Sequence, residues 1–383
     1  MKKPFRVALA LRNDSILASM DFFLGTHQFA RQRSDWKIVW QGGTSQLTWE
    51  TALESGPDGI LGLLPRDVPL PLKKKDSCHV VILNNAECMY PLVATDGRGA
   101  GRRAATHLIK LHLKHFAYVG HSGYFFSEQR KAGFLEGLKT SGHGAEVPTI
   151  EWTGEAASTA KLRAWVKSLP RPCGLLCADD LVALRLIEIC LKASINIPEE
   201  LAVLGIGNHE RICLESPIPI SSIEQHFRAI GWRAASLLDD LLRGKTAPTQ
   251  PILVPPGEVI VRESTKMFGI EDPLVRRALN IIHAEHQEPL TVPSLLVQLG
   301  NVSQRLLNLR FQQHLNRSPY QEILRNRILQ AQRLLRSTRL SQEEIAHVAG
   351  FYDPAQFSRH FRKISLQTPS EYRKKADRTP GLI

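Results

Sequence analysis

The sequence predicts an α/β domain of two lobes followed by an all-α domain with two helix–turn–helix motifs. Three observations carry this. Continuous apolar runs such as Val7-Ala8-Leu9-Ala10-Leu11 and Val80-Val81-Ile82-Leu83 alternate with helical periods over about the first 260 residues. From residue 273 onward the periodicity is helical throughout, and a short helix, a glycine turn and a second helix follow one another twice. Charge divides at the same place. Residues 266–383 hold 18 Lys+Arg against 10 Asp+Glu, whereas the first 265 hold 31 against 27, in a chain of 383 residues with net charge +12.

Residues 7–11 read as a buried strand, 19–33 as a helix, 36–40 as a strand and 48–54 as a helix. Residues 59–64 and 80–83 are further strands, all apolar or glycine as in a sheet covered on both faces. Val93-Ala94-Thr95-Asp96-Gly97-Arg98 leads into a helix through Gly101, Ala104, Ala105, His107 and Leu108. The alternation continues with strand 116–120, helix 130–138, strand 149–152, helix 159–168, strand 173–178 and helix 181–193. Strand 202–206, helix 227–243 closed by Gly244, and strand 259–262 complete it. Strand–helix–strand order with short links predicts doubly wound parallel sheets, and two similar halves predict lobes around a cleft. Ligands in such folds bind at strand carboxyl ends. The polar stretch before residue 273 places the boundaries at 1–264, a linker at 265–272, a helical domain at 273–376 and a tail at 377–383.

In the helical domain the second motif is the clearer. Ser341 with Glu344 forms a capping box, and Ile345, Val348 and Ala349 make the apolar face of its first helix. Gly350 supplies the turn, Asp353 caps the second helix, and Pro354 sits at its first position. Phe357 and Phe361 lie one turn apart on the buried side, so Ala355, Gln356, Ser358 and Arg359 face outward, as suits a helix in a DNA major groove. The first motif has Thr291 as cap, Pro293 in its first turn, the turn 300–302, and a reading helix over 303–314 with Leu307 and Phe311 inward. Residues 320–337 form a helix between the motifs.

Several function classes are excluded. Lys2-Lys3 precede too short an apolar run for a secretory signal, and no apolar run approaches membrane-spanning length, so a cytoplasmic protein with no membrane partner is expected. The six cysteines show no paired His/Cys spacing; reduced thiols and no metal are expected. Phosphate loop, nucleophile elbow and zinc pair are all absent, so neither an enzyme nor a cofactor is expected.

Two family resemblances enter here. Residues 7–262 resemble the periplasmic-binding-protein-like sensor domain of LacI/GalR-type repressors. The resemblance is carried by Thr95-Asp96, Gly101, Ala104-Ala105-Thr106-His107-Leu108, residues 115–120, Ser127, Arg130, Gly133 and Phe134, Ala178-Asp179-Asp180 with Ala183, Ile197-Pro198-Glu199-Glu200 and Val203-Leu204-Gly205. That family's DNA-binding headpiece is not expected ahead of residue 7. Residues 273–375 resemble the AraC/XylS-type DNA-binding domain through Gly350-Phe351, Phe357-Ser358-Arg359, Phe361-Arg362-Lys363, Thr368-Pro369 and Glu371-Tyr372-Arg373. The combination, in this order, resembles the xylose operon regulators of bacteria. It implies a sugar-responsive transcription regulator, more often an activator acting through RNA polymerase, that works as a homodimer on a double-stranded operator.

By matched position, Arg130 and Asp180 are the first candidates for the sugar, followed by Asp96 and Asn208. Arg and Asp supply the planar, two-pronged partners that adjacent hydroxyls need. Each has a plainer alternative: Asp96 and Asp180 as helix caps, Arg130 as a surface ion pair. Gly207 stands where relatives commonly carry a sugar-contacting Asp, so Asn208 takes part of that role or the ligand differs. Tyr124-Phe125-Phe126 read as an aromatic loop at the cleft edge, for stacking on a sugar or for packing between lobes. Matched positions for DNA contact are Gln304, Arg305, Asn308 and Leu309 in the first motif and Ala355, Gln356 and Arg359 in the second. Against the family pattern the first turn reads one residue long, and Leu309 stands where a basic or polar reader is usual.

Overall fold

The structure, a computed structural model, describes residues 3–11, 16–39, 49–64, 78–84, 88–143, 146–266, 270, 272–283, 289–300 and 302–377. Two compact units divide the chain, Met1–Lys266 and Met267–Ile383. The strand expected over residues 36–40 is observed as Trp36–Val39; Trp40 lies outside the described residues, as does Asn301 in the first helix–turn–helix turn.

The first unit has two lobes. Lobe 1 contains β1 (Phe5–Ala10), β2 (Trp36–Val39), β3 (Gly59–Gly62) and β4 (His79–Ile82), parallel in the order β2-β1-β3-β4. A parallel pair, β5 (Val93–Thr95) with β11 (Ile252–Val254), continues from it, joined through a bridge between Ile82 and Leu92. Helices α1 (Ile16–Ala30) and α8 (Phe227–Leu242) pack against one another and cover this sheet with Phe22, Phe29, Ile230 and Leu238. Lobe 2 is one six-stranded sheet in the order β12-β10-β9-β8-β6-β7. Its strands are β6 (His115–His121), β7 (Thr149–Trp152), β8 (Cys173–Cys177), β9 (Leu201–Gly207), β10 (Ser221–Glu224) and β12 (Val259–Ile260). All pair in parallel except β12, an antiparallel edge. Strand β8 is buried at every position because helices cover both of its faces, which is why it reads as an unbroken run.

Three segments cross between the lobes: β5 into α3 (Gly97–Lys110), β10 into α8, and β11 into β12. Helix α3 packs closely on α4 (Phe125–Thr140), and glycine makes that possible. A methyl group at Gly133 would collide with the backbone of Arg98, and one at Gly101 with the backbone of Arg130 and Phe134. Helix α4 starts five residues before the expected 130, so Phe125 and Phe126 form its first turn rather than a loop. Sequence periodicity lost this turn because its inward residues, Ser127 and Arg130, are polar yet buried.

The second unit is helical. Helix α9 (Pro273–His283) precedes the first motif, α10 (Val292–Gln298) and α11 (Gln304–Leu315). Next come α12 (Pro319–Ser337), the second motif α13 (Gln342–Val348) and α14 (Pro354–Ser365), and α15 (Pro369–Asp377). Capping boxes at Thr291, Ser318 and Ser341 satisfy the free amides where α10, α12 and α13 begin. Helix α12 serves two cores. Its Ile323 joins Leu295, Leu307 and Phe311 in one, and its Ile328, Ala331 and Leu335 join Ile345, Phe357 and Phe361 in the other. Arg327 ties the halves further, donating to the Leu290 carbonyl at 2.9 Å while lying 5.9 Å from the Phe351 ring centroid.

The two motifs superpose in sequence at an offset of fifty residues. Residues 299–303 separate α10 from α11, and 349–353 separate α13 from α14, so the first turn is not longer than the second. Both turns use a glycine with positive φ, Gly300 at 88° and Gly350 at 78°.

Candidate effector cleft and nucleic-acid interface

Three of the four sugar candidates, Arg130, Asp180 and Asn208, follow the carboxyl ends of β6, β8 and β9, adjacent strands of lobe 2; Asp96 follows β5. Arg130 comes from α4 and is 4% exposed, so the surface ion pair is not its role. Its Nη1 donates to the Ala178 carbonyl at 2.5 Å, just past β8, and the guanidinium lies 4.5 Å from the Phe126 ring centroid. Burial lowers its basicity, opposed by the charges of Asp179 and Asp180. A guanidinium has five N–H donors, and Nε of Arg130 is buried with no partner among the described residues. That leaves a desolvated guanidinium with unfilled hydrogen-bonding capacity.

Asp179, not Asp180, caps α6 (Asp180–Lys192), accepting from the Val182 amide at 2.8 Å. Burial raises the Asp179 carboxyl, but the 2.7 Å contact with His121 Nδ1, together with that amide and Arg130, holds it below its ordinary value. Asp180 is wholly buried. It accepts from Ser222 Oγ at 2.5 Å and from the His209 amide at 2.8 Å, and burial raises its carboxyl. These bonds fasten β10 and the Gly207–His209 segment to the first residue of α6. Gly207 has φ +139°, and a Cβ there would lie 2.9 Å from Asp180 Oδ2, so position 207 favours glycine.

Asn208 is committed within the protein. Its Nδ2 donates to Glu224 Oε2 at 2.8 Å, and its Oδ1 accepts from Arg262 Nη2 at 2.8 Å. Glu224 also accepts from the His226 amide at 3.1 Å, at the crossover between β10 and α8. Asn208 therefore braces a crossover. Asp96 takes the capping role, accepting from the Gly99 amide at 2.8 Å where β5 crosses into α3, with Arg102 3.9 Å away.

His121, Trp152, Asp179 and His209 were not foreseen as part of the candidate site; Tyr124 and Phe126 were. The His121 ring lies 4.4 Å from Tyr124 and 5.7 Å from Trp152, and Tyr124 lies 5.1 Å from Phe126, giving an aromatic wall beside Asp179. His209 from lobe 2 stacks on Phe227 of lobe 1 at 5.4 Å and 6° between planes. A cap one residue before α6 was a readable signal for Asp179; nothing local marks His209 or Arg262. Among the described residues no group of three or more His, Cys, Asp or Glu could hold a metal ion. Burial pushes the Cys173 and Cys190 thiols up to about 12, so neither is a thiolate near neutral pH.

On the DNA side, Gln304, Arg305, Asn308 and Leu309 are all exposed on α11, opposite the fully buried Leu307 and Phe311. Ala355 and Arg359 are exposed on α14, opposite the fully buried Phe357 and Phe361. Gln356 is half-buried, and its Oε1 accepts from the Tyr352 amide at 3.1 Å, so it helps close the start of α14.

Residues 105–265 match the model of a periplasmic binding protein-like domain, and residues 296–375 that of a helix-turn-helix domain. The xylose operon regulatory protein of Haemophilus influenzae is 33% identical over 293 residues, covering 74% of this chain and 75% of the relative. The chain belongs to the xylose operon regulatory protein family. Another family member, from Escherichia coli K12, is 31% identical over 287 residues, 73% of each chain. A solved structure of a xylose-binding transcription activator aligns over 97% of this chain and 98% of its own, with TM-score 0.60 and 26% identity. The sensor fold is shared more widely: a transcriptional regulator in complex with cellobiose covers 69% of this chain and 85% of its own at TM-score 0.58 and 23% identity. Family membership accounts for a two-lobed unit and a helix–turn–helix unit on one chain, and it marks the protein as a transcription regulator rather than an enzyme.

Proposed function

We propose that the protein is a cytoplasmic transcription regulator, in the first instance an activator, whose operator binding responds to D-xylose held between the lobes of its first unit. The supporting observation is Arg130, a buried guanidinium with an unpartnered Nε at a strand carboxyl end, near the aromatic wall of His121, Tyr124 and Trp152. Adjacent hydroxyls suit its two-pronged geometry, and the C–H face of a pyranose suits the aromatics. Arg130 binds the sugar directly. Asp180 and Asn208 act beside it, holding the loop and crossover that frame the cleft, and Asp96 sets the start of α3. Arg305 and Arg359 read bases, with Gln304, Asn308, Leu309, Ala355 and Gln356 around them.

In this reading the protein works as a homodimer and contacts RNA polymerase. Ligand closure of the lobes changes how paired subunits present their DNA-binding units, by no more than the ligand's difference in affinity for the two states. A second reading rests on Gly207, which offers no side chain where the family resemblance implies a sugar-contacting Asp: the effector is a sugar other than xylose. Calorimetric titration with D-xylose, L-arabinose, D-ribose and D-glucose separates the two. The first reading expects D-xylose to bind most tightly; a preference for another sugar replaces it, and no heat with any of them rejects both.

A further inference from the structure

The fifty-residue offset between the motifs allows their reading helices to be compared position by position. Ser303 and Asp353 cap α11 and α14, accepting from the amides of Leu306 and Gln356. The inward pairs Leu307 with Phe311, and Phe357 with Phe361, correspond and are fully buried. Arg305 then corresponds to Ala355, Leu306 to Gln356, Asn308 to Ser358, and Leu309 to Arg359. Leu306 and Leu309 are one turn apart on α11 and are 41% and 54% exposed. The polar residues around them, Arg305, Asn308 and Gln312, are exposed as well. The next cation along, Arg310, is turned toward Asp272 at 3.6 Å.

Two leucines on the outer face of a reading helix cannot hydrogen-bond a base edge. In the major groove one feature of the bases is apolar, the 5-methyl group of thymine. We propose that α11 reads thymines by their methyl groups, through Leu306 and Leu309, while α14 reads a guanine through Arg359. The inference rests on the DNA-binding role proposed above and assigns each motif its own chemistry. Double-stranded DNA is favoured over a protein as occupant of this face. The leucines are flanked by Arg305 and Asn308, groups that suit guanine and adenine edges, and residues 266–383 carry a surplus of eight positive charges. Leu306 is not among the matched positions of the first motif, but it stands where Gln356 stands in the second, and its exposure beside Leu309 places it on the same face.

The test removes the methyl group alone. Binding sites are enriched from a random DNA pool with the full-length protein in the presence of D-xylose. The half-site covered by each motif is located by footprinting with the Arg359→Ala variant. Each thymine is then replaced singly by deoxyuridine. Burial of one methyl group is worth roughly fourfold in affinity. One or two thymines in the first motif's half-site should lose about that much on replacement, and thymines under α14 should not. In Leu309→Ala or Leu306→Ala protein the sensitivity at the matching thymine should vanish. Leu309→Arg should shift preference there from thymine toward guanine.

An enriched site whose first half tolerates every replacement within about 1.5-fold overturns the inference and leaves the regulator reading standing. Leucine variants that bind the site unchanged but lose RNA polymerase recruitment also overturn it, since the face then serves a protein. A pool that yields no enriched sequence overturns both readings.

Discussion

Replacing Arg130 by Met keeps an unbranched stem of similar length against Phe126 and removes every donor. In the folded protein one hydrogen bond disappears, that from Nη1 to the Ala178 carbonyl. A buried acceptor left without a partner costs about 1–3 kcal/mol. Against this, the variant no longer holds a cation whose basicity burial already lowers. Net destabilisation within about 2 kcal/mol follows, a melting shift of roughly 4–8 °C for a domain of this size. The effect on ligand is larger. Two charge-assisted hydrogen bonds to neighbouring hydroxyls contribute at least about 1.5 kcal/mol each. Losing about 3 kcal/mol weakens Kd by roughly 150-fold. Calorimetric titration with D-xylose at 25 °C, alongside a thermal melt, separates the two quantities. A folded Arg130→Met protein that binds within threefold of wild type refutes the direct-contact role.

Other perturbations test other parts of the account. Glu322, at the start of α12, accepts from His283 Nε2 at 3.0 Å and lies 2.5 Å from Arg317 Nε. Burial raises its carboxyl, but His283 and Arg317 outweigh that and hold it below its ordinary value of 4.5. A depressed acid stabilises the fold above its unfolded pKa and loses that contribution as pH falls through the folded one. Glu322→Gln should therefore cost about 1–3 kcal/mol at pH 7, seen as faster hydrogen exchange across α9 and α12, with the difference from wild type shrinking as pH drops below 4.5. Gly101→Ala should cost about 1–3 kcal/mol by forcing α3 from α4, measured by scanning calorimetry; an unchanged transition would mean the helices do not pack this closely. Arg359→Ala should cost about 1–3 kcal/mol on the specific site and far less on random DNA, by gel shift; equal losses on both would make it a phosphate contact.

Where the sequence pattern was local, it read well. The run Cys173-Gly174-Leu175-Leu176-Cys177 announces a strand covered on both faces, and Ser341 with Glu344 announces the start of α13, because partner and signal lie within four residues. Phe357 and Phe361 fixed the inward side of α14, and with it the outward side. The candidate site was legible only in part. Arg130 and Asp180 stood out as residue types, but their burial depends on Ala178, Ser222 and His209, brought together by three strands of the sheet. Asn208 is bound by Glu224, 16 residues away, and by Arg262, 54 away, and no periodicity reports such pairings. The asymmetry of the two reading helices was half visible: Leu309 was conspicuous in the sequence, whereas Leu306, at the position of Gln356, stood out once its exposure was known.

The central claim couples a small sugar in the first unit to DNA binding by the second, and one titration addresses it directly. The enriched operator is titrated with full-length protein at fixed salt, with and without saturating D-xylose. The account predicts a change in operator affinity of about 5- to 150-fold, the range of 1–3 kcal/mol typical of coupled sites, and its loss in the Arg130→Met protein. Operator affinity that is the same with and without D-xylose, in a protein shown by calorimetry to bind that sugar, would contradict it.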